Sequence, residues 1–270
     1  MRKLIAVAVL VLVGGLATGV AQAQTFDHSA FDALLKANVV DGMVDYDAFK
    51  KAPTFPTYLD SLSKADITKL DPKELLAFWI NTYNAYTIQL INSHNERESI
   101  RNFNKSLGVA AHGPWREKLV KAGGQIYHLD NVEQDIIRKD YYTKVAKEPR
   151  IHFALVCAAM GCPPLRSEAY TGAKLDAQLN DQAATFLLKS PFKNHIDLKT
   201  GTMFGSQIFV KYYPEDFGQT PVNITKYLAA FYPDGPEKQL LLGGKAKLVE
   251  TDYDWGLNSQ EKAKAPKTAK

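Results

Sequence analysis

From Leu75 to Ile91 the apolar residues fall on nearly every side of a helical projection: Leu75, Leu76, Phe78, Trp79, Ile80, Tyr83, Tyr86, Ile88, Leu90 and Ile91. A helix that is apolar all round belongs at the centre of a core. Its start is marked by Asp71 as N-cap, Pro72 at the first helical position and Glu74 three residues after the cap, the pattern of a capping box. Asn81 and Asn84 lie three apart on one face of this helix. They either pin neighbouring loops or line a site, and the lack of an accompanying charge favours the first.

Around this helix the pattern predicts smaller pieces. Phe26–Leu35 reads as a helix with Phe31, Leu34 and Leu35 inward, Gly42–Tyr46 as a turn and short strand, and Pro53–Leu62 as a connector into a short helix. Ser99–Trp115 is loop-rich, and Gln125–Leu129 is a strand after the Gly123-Gly124 turn. Asp130, with Glu133 three residues later, reads as a second capping box opening a helix through Arg138. Phe153–Val156 reads as a buried strand. Asp176–Leu188 and Val222–Tyr232 read as helices, Phe192–Val210 as a hairpin turning at Lys199–Gly201, and Leu248–Glu250 as a last strand. With no repeat and no linker, these pieces predict an α+β fold. It is one domain over residues 24–260, with the central helix packed on a mostly antiparallel sheet.

The two ends read differently. Arg2 and Lys3, an apolar stretch from Leu4 to Val20, and Ala21-Gln22-Ala23 form the pattern of a cleaved export leader, residues 1–23. The expected product is a secreted or periplasmic chain without a membrane span. Removal of 23 residues from 270 leaves 247, ample for a substantial core. Without Arg2 and Lys3, 31 basic residues face 29 acidic ones, too weak an excess to call for nucleic acid. Residues 261–270 read as a disordered basic tail.

Both cysteines, Cys157 and Cys162, lie in the segment His152-Phe-Ala-Leu-Val-Cys157-Ala-Ala-Met-Gly-Cys162-Pro163-Pro164. In an oxidising compartment such a pair tends to close as a disulfide. The four intervening residues differ from the two of a thioredoxin-like site. No His-x-His, His-Glu-x-x-His or paired Cys-x-x-Cys occurs, so no local metal signature is present, and no phosphate loop or other cofactor motif appears. A thiol hydrolase needs a thiolate, an imidazole and a group to orient that imidazole. Cys162 or Cys157, His152 and Glu133 supply these types. If Phe153–Val156 is a regular strand, the odd step from His152 to Cys157 turns the two side chains to opposite faces, which ranks Cys162 above Cys157 as nucleophile. Asn81 or Asn84 would offer an amide to an oxyanion.

Five segments in order resemble the domain-of-unknown-function family 547, DUF547: Gly42-Met-Val-Asp45-Tyr46, Phe78-Trp-Ile-Asn81-Thr-Tyr-Asn84-Ala85, Asn131-Val-Glu133, His152 through Cys162-Pro-Pro-Leu165, and Tyr253-Asp254-Trp255. The resemblance implies a likeness to papain-like and transglutaminase-like thiol hydrolases, and assigns Glu133, His152 and Cys162 as a triad. Tyr253, Asp254 and Trp255 then join Asn81, Asn84 and Cys157 as residues expected to line the site, with Tyr212 and Tyr213 shaping a groove. The expected partner is a peptide, amide or protein. Where the family often has histidine after the glutamate, this chain has Gln134; should activity require that histidine, this chain would be altered or inactive. The alternative is a non-catalytic binding or scaffold module stapled by a Cys157–Cys162 disulfide.

Overall fold

A computed structural model describes residues 24–103 and 113–264. The expected leader, residues 1–23, and the end of the expected tail, 265–270, lie outside the described residues. Within them the chain is α+β. The first half packs four α-helices together, α1 (Ser29–Asn38), α2 (Tyr46–Lys51), α3 (Thr54–Lys64) and α4 (Pro72–Ser93), with the hairpin β1–β2 (Val39–Val40, Met43–Val44) between α1 and α2 in the chain.

Helix α4 is the predicted central helix, with all but a few of its residues buried. Asp71 caps it, accepting from the backbone N–H groups of Lys73 (2.9 Å) and Glu74 (3.0 Å). Glu74 does not complete a capping box. Its carboxylate instead accepts from Gly172 N (2.7 Å) and Phe26 N (3.3 Å), tying two distant segments to the helix start. A Cβ on Gly172 would lie 2.5 Å from Glu74 Oε2, so that approach requires glycine.

Instead of one sheet, the described strands form three small ones. Besides β1–β2 there is the hairpin β3–β4 (Val120–Ala122, Gln125–Tyr127) and a three-stranded sheet of β5 (His195–Asp197), β6 (Thr202–Gly205) and β7 (Lys247–Glu250). In the last, β5 and β6 are antiparallel and β7 joins β6 in parallel. The apolar run after His152 is not a strand. Ile151–Ala154 is a single helical turn, followed by extended Leu155–Cys157. A short unbroken apolar run fits a buried helical turn as well as a strand. Here Asn84 settles it, since it takes the Ala154 carbonyl (2.9 Å) and the Val156 N–H (3.0 Å) that a neighbouring strand would have paired.

Two apolar clusters meet at this turn. Ile151 and Ala154 belong to the larger one around α4, and Phe153 to a smaller one built with Phe186, Phe209, Phe217 and Leu228. Helix Leu175–Leu188 spans both clusters, while Pro221–Ala229 lies in the smaller one; both were expected. A further short helix, Pro236–Leu242, follows Pro221–Ala229. The first residues of the expected tail continue as a short helix, Gln260–Lys264.

Candidate functional site

The seam between the clusters opens into a pocket of about 280 Å³. Its lining includes Glu133, His152, Cys157 and Cys162 together with Tyr83, Trp115, Tyr212, Tyr213, Tyr253 and Trp255. The three proposed triad residues and the nominated aromatic residues thus line one pocket, although they come from five separate stretches of chain. Two π-wound helices flank it: Asn131–Tyr141 carries Glu133, and Ile208–Tyr212 carries Ile208 and Tyr212. Such wide turns are rare and recur where a helix must aim a side chain into a site.

Glu133 is free for this because the expected second capping box does not form. Asp130 is already helical and its carboxylate pairs with Arg116 (3.0 Å), while the helix start is capped by His128 Nδ1, which accepts from Asn131 N (2.9 Å). Burial pushes the Glu133 carboxyl above its ordinary value, opposed by the charge of His152 and a hydrogen bond from the Tyr213 hydroxyl.

His152 has only 1% of its side chain exposed. Its Nε2 lies 2.7 Å from Asp216 Oδ2, and its Nδ1 lies 3.8 Å from Glu133 Oε1, too far for a hydrogen bond. The ring stacks on Tyr213, with centroids 4.1 Å apart and planes 17° from parallel. Asp216 also accepts from Arg138 Nε (2.7 Å) and faces Lys147 Nζ (3.6 Å). Although burial works against it, hydrogen bonds from His152 and Arg138 together with their charges hold the Asp216 carboxyl well below the usual carboxylate range. An ionised carboxylate only accepts, so His152 Nε2 must carry the proton. With Nε2 turned to Asp216, the other ring nitrogen, Nδ1, faces Glu133. The main partner of His152 is Asp216, not Glu133. Asp216 escaped the sequence reading because it lies 64 residues away along the chain, in the loop after Tyr213. The signal on hand was that one short loop combined Tyr213 with two acids.

Gln134, at the position where histidine was expected, accepts from Arg138 and approaches the Tyr213 hydroxyl (3.5 Å). The Arg138 guanidinium that it accepts from lies over the Tyr213 ring, 4.7 Å from its centroid.

Cys157 and Cys162 are joined by a disulfide. The Tyr253 hydroxyl lies 3.2 Å from Cys157 Sγ and 3.1 Å from Cys162 Sγ, and the Cys157 N–H points at Cys162 Sγ (3.1 Å). Between the cysteines, Ala158 is held at φ 61°, a left-handed conformation costing a non-glycine residue roughly 1–2 kcal/mol. Cross-links to the C-terminal stretch hold it there: Met160 N to Gly256 O and Gly161 N to Asp254 O, both 2.7 Å, and Asn258 N to Ala158 O, 3.2 Å. Gly161 lets the Tyr253 ring approach, since a Cβ would lie 2.7 Å from it. Because the residues after His152 are helical, the parity argument that separated the cysteines does not hold, and both reach the pocket. Among the described residues neither sulfur hydrogen-bonds His152.

The remaining nominated residues lie outside the lining. Asn84 clamps Ala154 and Val156, and Asn81 clamps Tyr170 through both its N–H (2.9 Å) and its carbonyl (2.7 Å). Both amides are thereby engaged, and neither is available to an oxyanion. Asp254 accepts from Gly256 N (2.7 Å) within its own turn.

Residues 67–187 match the family described as a protein of unknown function, DUF547. Over that stretch the chain is similar to DUF547. No curated protein and no solved structure matches the chain, so the papain-like likeness gains no support from a shared fold. The DUF547 segment carries Glu133, His152 and both cysteines. Asp216, Tyr253 and Trp255 come from the residues after it, so this site depends on chain beyond the matched stretch.

Proposed function

We propose that this protein is a cysteine-dependent hydrolase or acyl-transfer enzyme acting on a peptide or amide, and that the Cys157–Cys162 disulfide is its oxidised, latent form. The observation that carries the reading is the convergence of Glu133, His152 and Cys162 on one pocket, with His152 anchored from behind by Asp216. A dithiol reductant would supply two electrons and two protons, breaking the S–S bond and leaving as its own disulfide. Cys162 Sγ then attacks the amide carbonyl carbon while its proton passes to His152 Nδ1. The C–N bond breaks, the amine departs with that proton, and a thioester remains on Cys162. Water, or an amine in the transfer reaction, releases the acyl group with His152 again relaying the proton. Glu133 stands beside the imidazolium that forms. The leader-like residues 1–23 support export to a secreted or periplasmic location.

The test is hydrolysis of a panel of peptide amides and anilides by reduced, oxidised and Cys162→Ser protein. Turnover by the reduced protein alone is expected. Equal turnover by the Cys162→Ser variant would sink the nucleophile. A second reading rests on the disulfide itself: a closed cystine under Tyr253 fits a binding module whose aromatic pocket holds a partner without chemistry. It predicts ligand binding unchanged by reduction and no turnover in either redox state.

A further inference from the structure

We infer that Lys193 is a positioning residue for Cys162, placing a positive charge behind the cysteine so that its thiolate is favoured once the disulfide is opened. The inference rests on the functional reading above. Lys193 Nζ donates to the Cys162 carbonyl oxygen at 2.6 Å. The lysine leaves the end of helix Leu175–Leu188 in the Ser190–Asn194 turn, and its ammonium lies over the Phe186 ring, 5.9 Å from the centroid. Among the described residues no carboxylate stands within ion-pair distance of it, and Asp254 acts on it only from further away. A partly buried cation with no carboxylate in contact directs its field at its nearest polar neighbour, here the peptide carbonyl of Cys162, the residue whose thiolate it would favour. The pocket lining contains no lysine or arginine, and Lys193 stands outside it, on the backbone side of Cys162. The other ionisable groups of the pocket are the Tyr253 hydroxyl at the cystine and, elsewhere in the lining, Asp130, Glu133, His152 and the hydroxyls of Tyr83, Tyr212 and Tyr213.

Desolvation lowers the Lys193 pKa to about 8, so the ammonium is largely present at neutral pH and is lost above it. Its assistance to Cys162 therefore belongs to the neutral range. Cys157 has no such contact, which gives the two otherwise similar cysteines different chemistry.

The test is the pH profile of alkylation by iodoacetamide of fully reduced full-length protein, mapped by mass spectrometry to each cysteine. Wild type is compared with Lys193→Met, Lys193→Gln, which keeps a donor to the Cys162 carbonyl without the charge, and Lys193→Arg. At pH 7 the Met and Gln variants should alkylate Cys162 roughly tenfold more slowly, the scale of one pKa unit. The Arg variant should stay near wild type, and Cys157 should be unaffected. A Gln variant within twofold of wild type, or an Arg variant as slow as Gln, overturns the role of Lys193. A wild-type Cys162 with the ordinary profile of a free thiol overturns the functional reading instead, so the two failures are distinguishable.

Discussion

Replacing Asp216 with alanine removes the acceptor on which two donors converge. Its Oδ2 takes both His152 Nε2 and Arg138 Nε at 2.7 Å, with 7% of the Asp216 side chain exposed against 1% for His152 and 18% for Arg138. Breaking a buried ion pair from one side costs about 3–5 kcal/mol, because the other charge stays behind unpaired. Arg138 keeps Glu215 and Gln134, which places the expected loss at the lower end, about 3 kcal/mol. In a domain of this size that lowers the melting midpoint by roughly 6–12 °C. Urea unfolding at pH 7 with the disulfide intact measures it, with Asp216→Asn, which still offers His152 a carbonyl, falling in between. The sign of the pH dependence is fixed. A carboxyl held below its unfolded value contributes its full stability above the unfolded carboxylate range and loses it as pH falls through the folded value. The gap between wild type and variant should therefore be flat above about pH 5 and close in acid. A loss below 1 kcal/mol at pH 7, or a gap that widens toward acid, would refute the placement of Asp216 as the ionised anchor of His152.

Two further outcomes follow from the same geometry. Asn84→Ala leaves the buried Ala154 carbonyl and Val156 N–H without partners and should destabilise by about 2–5 kcal/mol, read from urea unfolding and from faster hydrogen exchange at Val156. Glu133→Gln should become more stable relative to wild type between pH 4 and pH 8. A carboxyl raised above its unfolded value stabilises only below the unfolded range, and that contribution is lost as pH rises through the folded value. A difference independent of pH would show that burial does not govern Glu133.

The parts of this protein that were legible in the sequence are those decided locally. The Asp71-Pro72 start and the all-round apolar pattern of α4 fix that helix from its own residues, and the Gly123-Gly124 turn announces the strand after it, though not the partner strand Val120–Ala122 before it. What was illegible depends on partners far along the chain. Glu74 and Glu133 both sit three residues after an aspartate, yet neither closes a capping box: Gly172 and Phe26 claim one, and the pocket holds the other. The turn at His152 looks like a strand until Asn84, some seventy residues earlier, is seen to take its backbone groups. Glu133, His152, Cys157 and Cys162 were nominated from their chemical types and the family likeness, and all four line the pocket. The anchor, Asp216, was missed because nothing near it in sequence announces a histidine 64 residues away.

The central claim is that Cys162, once reduced, acts as a nucleophile served by His152. Intact-mass and peptide mapping after brief exposure to an activated acyl ester test it directly. The reduced wild-type protein should gain one acyl group, on Cys162, while oxidised protein gains none and His152→Asn gains it roughly 10²–10⁴-fold more slowly. Acylation spread over other residues, or an unchanged rate in His152→Asn, would contradict the account.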